Sequence, residues 1–268
     1  MPQPTLIFAN FLSPVLSQTY QHIVEYVEEV TGVLTFLLRG ESFDDFEAGG
    51  IDAGFVCGLA YVHLSRQQPS PVELVAAPIL QGARYEQSPR YFSDIVVHKE
   101  SEVHTCEDLR ACTWAYNEKS SHSGYNVVQY NMLTHGVPLE KYFAKTIETG
   151  SHAQSLRLVL EGKASATAID SHMLDVLLRD HPEIAASIRV VGSFGPSTIP
   201  PVVISRRLPP DLKQKIRETF LNMHRDRLFA PGLAGGLIER FTHITDAHYD
   251  DIREMYSSVQ QHAALLRR

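Results

Sequence analysis

The chain has few of the residues that would give it a covalent, metal-bound or membrane-bound framework. Three cysteines, Cys57, Cys106 and Cys112, stand in 268 residues. An odd count without a C-x-x-C spacing is neither a disulfide framework nor a metal knuckle, so three reduced thiols are expected and no bound metal. No run of ~18 apolar residues occurs, which excludes a hydrophobic spanning helix. No Gly-x-Ser-x-Gly elbow is present, so a hydrolase of that design is not indicated. Basic residues are outnumbered, and the net charge of −7 argues against a general nucleic-acid binder, which carries a basic face. Met1-Pro2-Gln3-Pro4 shows neither a basic n-region nor an apolar h-region. As given, the chain reads as cytoplasmic, or as periplasmic or extracellular if a leader has been trimmed away.

Hydrophobic residues make up 44% of the chain, enough for a substantial core in one large or two moderate domains. Short apolar strands alternate with amphipathic helices. Leu6–Ala9 reads as a strand, and Ser13-Pro14 opens a helix whose apolar positions Leu16, Tyr20, Ile23, Val27 and Val30 keep helical spacing until Gly32. Strands over 33–38, 51–56 and 74–79 follow, with helices over 43–48 and 59–64 between them. The rhythm restarts with strands over 91–97 and 113–116, and a helix from Ser123 to Leu133. Helices over 151–161 and 172–178 flank a strand over 164–169. Strands over 189–191 and 202–204 and helices over 211–223 and 249–262 close the chain. This alternation predicts α/β architecture with mostly parallel sheets. Two polar, Pro-containing stretches, 83–90 and 192–201, read as crossings between two lobes, and two linkers make a hinge. The expected lobes are 1–88 with 197–268, and 89–196.

The stretch Thr113–Tyr125 carries the most chemical information. A strand runs into a loop of small hydroxyl residues and then a helix, placing free N–H groups, hydroxyls and the positive end of a helix dipole together. Ser121 and Ser123 supply the hydroxyls, and Gly124 removes side-chain bulk where a ligand approaches. The competing reading makes one serine a plain N-cap. His122 lies between two serines whose side chains diverge on a helix, a poor nucleophile–base arrangement. Ser151, His152 and Gln154 read as a second helix start, either a simple cap or part of a site. Trp114, the single tryptophan, sits in a strand and is expected in the core.

Several segments in order resemble one family: Ile51-Asp52-Ala53-Gly54-Phe55, Tyr91–Val97, Glu107-Asp108-Leu109-Arg110, Ser121-His122-Ser123-Gly124, Gly150-Ser151-His152, Glu161–Ala166, Ile199–Val203 and Leu208–Leu212. Over nearly its whole length the chain is similar to the phosphonate/phosphite/phosphate-binding proteins of ABC transporters, a branch of the type II periplasmic-binding fold. The resemblance implies two α/β lobes with a hinge and a central cleft. It further implies closure around a small anionic ligand of phosphonate or phosphate type, without a cofactor, and an ABC-transporter permease as partner. The family's Ser-Thr-Ser cradle falls on Ser121, His122 and Ser123, a ligand-contacting Tyr on Tyr91, and an aromatic of the first lobe near Phe43. Tyr61 follows Gly58-Leu59-Ala60, where the family often lines its cleft. The Glu and Asp that hold an ammonium group in aminophosphonate binders fall on His172 and Pro200, with Asp170 nearby. The anion cradle is thus retained and the cation clamp is lost. Protonation of His122 and His172 is expected to make the cleft more positive, so that anion binding is strongest at mildly acidic pH; the opposing possibility is that burial keeps His122 neutral, donating one N–H to the ligand. The alternative function is a cytoplasmic enzyme on the same fold, of menaquinone-pathway type, acting on a small carboxylate. In that reading Asp170, His172, His122 and His152 supply acid–base groups.

Overall fold

The computed structural model describes residues 5–134, 136–137 and 139–266. Its elements follow the apolar periodicity of the chain. β1 (Thr5–Asn10) is followed by a 3-10 turn that Ser13 caps, then by α1 (Ser17–Thr31). α1 buries Tyr20, Ile23, Val24 and Val27, and ends at Gly32 in the left-handed region (φ 70°), which glycine adopts without Cβ strain. Next come β2 (Leu34–Arg39), α2 (Asp45–Ala48), β3 (Ala53–Phe55), α3 (Gly58–Ser65) and β4 (Val72–Leu80). β5 (Arg90–His98), β6 (Thr113–Tyr116), α4 (Val127–Thr134), α5 (Leu139–Tyr142), β7 (Lys145–Glu148), α6 (His152–Leu160) and β8 (Ala166–Asp170) follow. The chain then forms α7 (Ser171–Asp180), α8 (Pro182–Ser187), β9 (Ile188–Thr198), β10 (Val202–Ser205), α9 (Pro210–Asn222), α10 (Ala230–Gly235), β11 (Ile238–Thr242) and α11 (Asp250–Leu266).

The chain divides into two compact units, with boundaries at Arg90/Tyr91, Ser197/Thr198 and Asp250/Asp251. The first unit holds a six-stranded sheet in the order β11-β4-β10-β3-β1-β2. β1 runs parallel to β2 and β3, whereas β10 is antiparallel to both β3 and β4. Phe8, Ile23, Val27, Phe55 and Phe220 are wholly or almost wholly buried in it. The second unit holds a five-stranded sheet in the order β7-β6-β8-β5-β9. β6 is parallel to β7 and β8, and β5 is antiparallel to β8. Its core gathers Ile95, Val97, Trp114, Val128, Met132 and Phe143, and Trp114 stacks on Phe143 at 4.8 Å as a core residue.

Four features differ from the sequence reading. Mostly parallel sheets were expected, but both sheets are mixed, with β10 antiparallel to β3 and β4, β11 to β4 and β5 to β8, because β4, β5, β10 and β11 do not follow the simple strand–helix–strand crossover that makes neighbours parallel. The stretch 192–201, read as a linker, is mostly β9, an eleven-residue strand that contains a cis Gly195–Pro196 bond. Gly and Pro usually interrupt a strand, but here they lie on an edge strand, where one face of the ladder needs no partner. β7 and β11 were not anticipated, because Lys145–Glu148 and Ile238–Thr242 are short and mix apolar with charged residues. The closing helix α11 belongs from Asp251 onward with the second unit, where Met255 packs against the core, so the chain crosses three times rather than twice. No helix among the described residues is long and apolar enough to cross a membrane. The three cysteines are free and half-buried.

Candidate functional site

In the second unit β6 ends at Tyr116, and the chain passes through Asn117–Ser120 into a helical turn over His122–Asn126 that continues as α4. The turn is π-helical. The Asn126 amide donates to the Ser121 carbonyl at 3.0 Å, and the Val127 amide to the His122 carbonyl. Such wide turns recur at functional sites, because the extra residue re-aims the first amides of a helix. Ser121 has extended backbone dihedrals, and its Oγ accepts from the Gly124 amide at 3.1 Å, so this serine is the N-cap. First-turn amides have no intrahelical acceptor. Among the described residues none is paired with the backbone N–H of His122 or Ser123.

Three groups fix this turn from behind. The Ser93 hydroxyl, on β5, donates to the Ser123 carbonyl at 2.6 Å. Ser123 Oγ lies 3.1 Å from His152 Nε2, where one hydrogen is shared in a direction set by the imidazole tautomer. His152 is the first residue of α6, which Ser151 caps by accepting from the Gln154 amide. Its Nδ1 is buried and has no hydrogen-bond partner among the described residues. Burial holds the His152 pKa down, to about 4. Gly124 completes the packing. A Cβ there would overlap Asn117 Oδ1, a buried acceptor with no hydrogen-bond partner, and would approach His152 Cε1 to 3.1 Å.

His122 is fully buried, and its imidazole points into the unit. Nδ1 lies 3.1 Å from Asn126 Nδ2, and Nε2 lies 2.9 Å from Ser197 Oγ. An amide NH2 can only donate, so Nδ1 accepts and Nε2–H donates to Ser197. Burial with no compensating charge pushes its pKa down to about 3. Of the two roles considered for His122, this geometry corresponds to the neutral one. The Tyr91 ring, also buried, has its centroid 6.4 Å from the imidazole.

At the end of β8, Asp170 caps α7, its Oδ1 accepting from the amides of His172 (2.8 Å) and Met173 (3.1 Å). It pairs across the sheet with Ser93, the residue that holds Ser123. Burial raises its carboxyl pKa to about 7, with the charges of Asp94 and Asp175 adding to the rise and the two amides opposing it. His172 is buried at the start of α7. In the first unit Phe43 stacks on Phe11 at 4.4 Å, and Tyr61 is buried with its hydroxyl on Asp246 Oδ1 at 2.7 Å.

The structure therefore brings Ser121, His122, Ser123, Gly124 and His152 together in one corner of the second unit, with Asp170 one hydrogen-bonded residue away. The sequence reading missed Ser93, Asn117, Asn126 and Ser197. Only Asn126 carried a usable signal, since it stands four residues after His122 on a helix and so faces it.

Comparison with solved structures gives the architecture its class. The binding-protein component of an ABC phosphonate transporter from Pseudomonas aeruginosa superposes with a TM-score of 0.84 at 19% identity, covering 96% of this chain and 87% of that one. PhnD1 from Prochlorococcus marinus, solved in complex with methylphosphonate, superposes with a TM-score of 0.82 at 17% identity, covering 96% and 98%. The fold is that of the type II periplasmic binding proteins, the expected class. A curated relative, the phosphonates-binding periplasmic protein of Escherichia coli (strain K12), is 25% identical over 139 residues, which span 50% of this chain and 41% of that protein. Residues 6–249 match the model of the periplasmic substrate-binding proteins of phosphonate ABC transporters, and the chain belongs to that family.

Two predictions follow from the turn and its surroundings. Gly124→Ala is expected to destabilise the protein by ~1–3 kcal/mol, the usual cost of overpacking a tight site. Adding Asn117→Ala should recover most of that loss, and chemical denaturation of the single and double variants checks both. The second concerns pH. His122 and His152 have folded pKa values below the unfolded value of about 6.5, so as pH falls through that value the unfolded chain takes up protons that the folded one does not, and stability drops. Asp170 acts oppositely. Its folded pKa lies above the unfolded value of about 3.9, so its contribution is present at low pH and is lost as pH rises toward 7. Asp170→Asn removes this opposing contribution. The denaturation midpoint of that variant should climb more steeply between pH 4 and 7 than that of the wild type.

Proposed function

We propose that this protein binds a phosphonate- or phosphate-type anion at the His122–Asn126 turn and hands it to an ABC-type permease, without chemistry on the ligand. The observation that carries this reading is the pair of unpaired first-turn amides, of His122 and Ser123, beside the Ser123 hydroxyl. Amides at a helix start and a neighbouring hydroxyl match phosphoryl oxygens in geometry and in charge. The Ser123 hydroxyl has one hydrogen, so it serves the anion in the tautomer that puts the His152 hydrogen on Nε2. Ser121 has a different role in this reading, since its Oγ is occupied as the cap and it shapes the turn. Family membership and the likeness to a methylphosphonate complex support the same ligand class. Of the two candidates in the first unit, Tyr61 has its hydroxyl engaged by Asp246 and Phe43 stacks on Phe11.

The enzyme alternative gains little from the Ser123–His152 pair. The buried Nδ1 of His152 has no hydrogen-bond partner among the described residues, whereas in a catalytic triad a carboxylate at that nitrogen orients the base and stabilises its charge.

Ser123→Ala should weaken methylphosphonate binding by ~1–3 kcal/mol, the scale of a lost hydrogen bond to a charged group, while leaving the fold intact. Isothermal titration of wild type and variant measures it, and equal affinities would remove Ser123 from the site. A second titration tests the lost ammonium clamp, where His172 and Pro200 stand in place of acids. Ethylphosphonate and 2-aminoethylphosphonate should bind within about threefold of each other, a difference smaller than one charge-assisted hydrogen bond provides. A clear preference for the amine would assign Asp170 or another carboxylate to the ammonium.

A further inference from the structure

The bonds around His122 run in one direction. Asn126 donates to Nδ1, and Nε2–H donates to Ser197 Oγ. All three residues are buried, with exposures of 3%, 0% and 4% for Asn126, His122 and Ser197. They join segments far apart in the chain, since Asn126 and His122 lie on the turn that opens α4 and Ser197 lies near the end of β9, 75 residues from His122. Ser197 is also the last residue of the second unit before the chain passes to Thr198 in the first. It follows the cis Gly195–Pro196 bond, and Gly195 has φ +113°, in a region that side chains rarely adopt.

We propose that His122 is a positioning residue that locks the His122–Asn126 turn to the exit of β9, so that the two segments order and loosen together. A buried imidazole can take this part because its two nitrogens point in opposite directions. One accepts from within the turn, and the other donates to the exit strand. A hydroxyl in its place would be too short to span the two. The relay rests on bonds within the second unit and needs no ligand. Its consequence for function does rest on the phosphonate reading, because ordering of the turn by a bound anion would be felt at the point where the chain crosses.

The test is amide hydrogen exchange on the ligand-free full chain, in wild type and in Ser197→Ala, Ser197→Thr and Asn126→Ala. Ser197→Ala should raise exchange about fivefold at the amides of Gly124, Asn126 and Val127, the scale of one lost buried hydrogen bond. Ser197→Thr keeps the hydroxyl and should restore the wild-type rates. Asn126→Ala should raise exchange at Ser197, Thr198 and Ile199 by a similar factor. Changes confined to the mutated segment would overturn the relay. A nitrogen-detected NMR spectrum of wild type supplies a test that needs no variant. The hydrogen of His122 should be on Nε2 with Nδ1 as acceptor, and the opposite tautomer would overturn the proposal. Titration with methylphosphonate separates the two questions. Reciprocal exchange effects in a wild type that binds no methylphosphonate would sink the ligand assignment and leave the relay standing.

Discussion

A buried imidazole with no charge beside it is held neutral, and much of the second unit depends on that constraint. Desolvation pushes the pKa of His122 down to about 3, so the ring is neutral near neutral pH. A neutral ring has one donor and one acceptor, and Asn126 and Ser197 match them in the only order chemistry permits. The turn that carries His122 also carries the amides and the hydroxyl suited to an anion. The electrostatics of that corner therefore come from oriented dipoles and not from a titrating cation. Backbone dipoles need no reorganisation when charge arrives, which is why helix starts serve as anion sites even in an acidic protein.

The departures from the resembling aminophosphonate binders form a consistent set. An ammonium clamp needs ionised carboxylates, and the resemblance places His172 and Pro200 where aminophosphonate binders carry them. Asp170, two residues before His172 in the chain, has its Oδ1 occupied by two α7 amides, and burial raises its pKa to about 7. A carboxyl that spends part of its time protonated and already accepts two hydrogen bonds is a weaker partner for an ammonium ion than an ionised, open one. The anion half of the site keeps its cap, its amides and its hydroxyl. These features together favour a ligand recognised by its phosphoryl group alone.

The α/β class was legible because burial imposes strict periods. The helix-spaced apolar positions of α1 and the short β-rich runs at β1, β5 and β6 leave little choice of structure. Ser121 as a cap was also visible, because caps have local signatures, whereas Gly124, read as room for a ligand, has Asn117 and His152 packed against it. The partners of the turn were not visible. Ser93 and Ser197 lie 30 and 75 residues from the residues they bond, and no local pattern records a contact that tertiary packing creates. β9 was hidden for a related reason. Its Gly and Pro read as a linker, and only its place at the sheet edge makes them compatible with a strand. The last crossing was hidden as well, since α11 has the same amphipathic pattern whichever unit it packs on.

Asn117 and Gly124 show how closely the turn is tailored. Asn117 Oδ1 is buried and unpaired, normally a cost of about 1–3 kcal/mol. It occupies the space that a Cβ at Gly124 would need, and His152 borders the same space. An apolar residue at 117 would fill the volume without that penalty, so packing alone does not account for a polar side chain there. What the pair does show is complementarity: glycine at 124 leaves room for Asn117 Oδ1 on one side and for His152 Cε1 on the other, so the side chain at 117 and the bare backbone at 124 are fixed together.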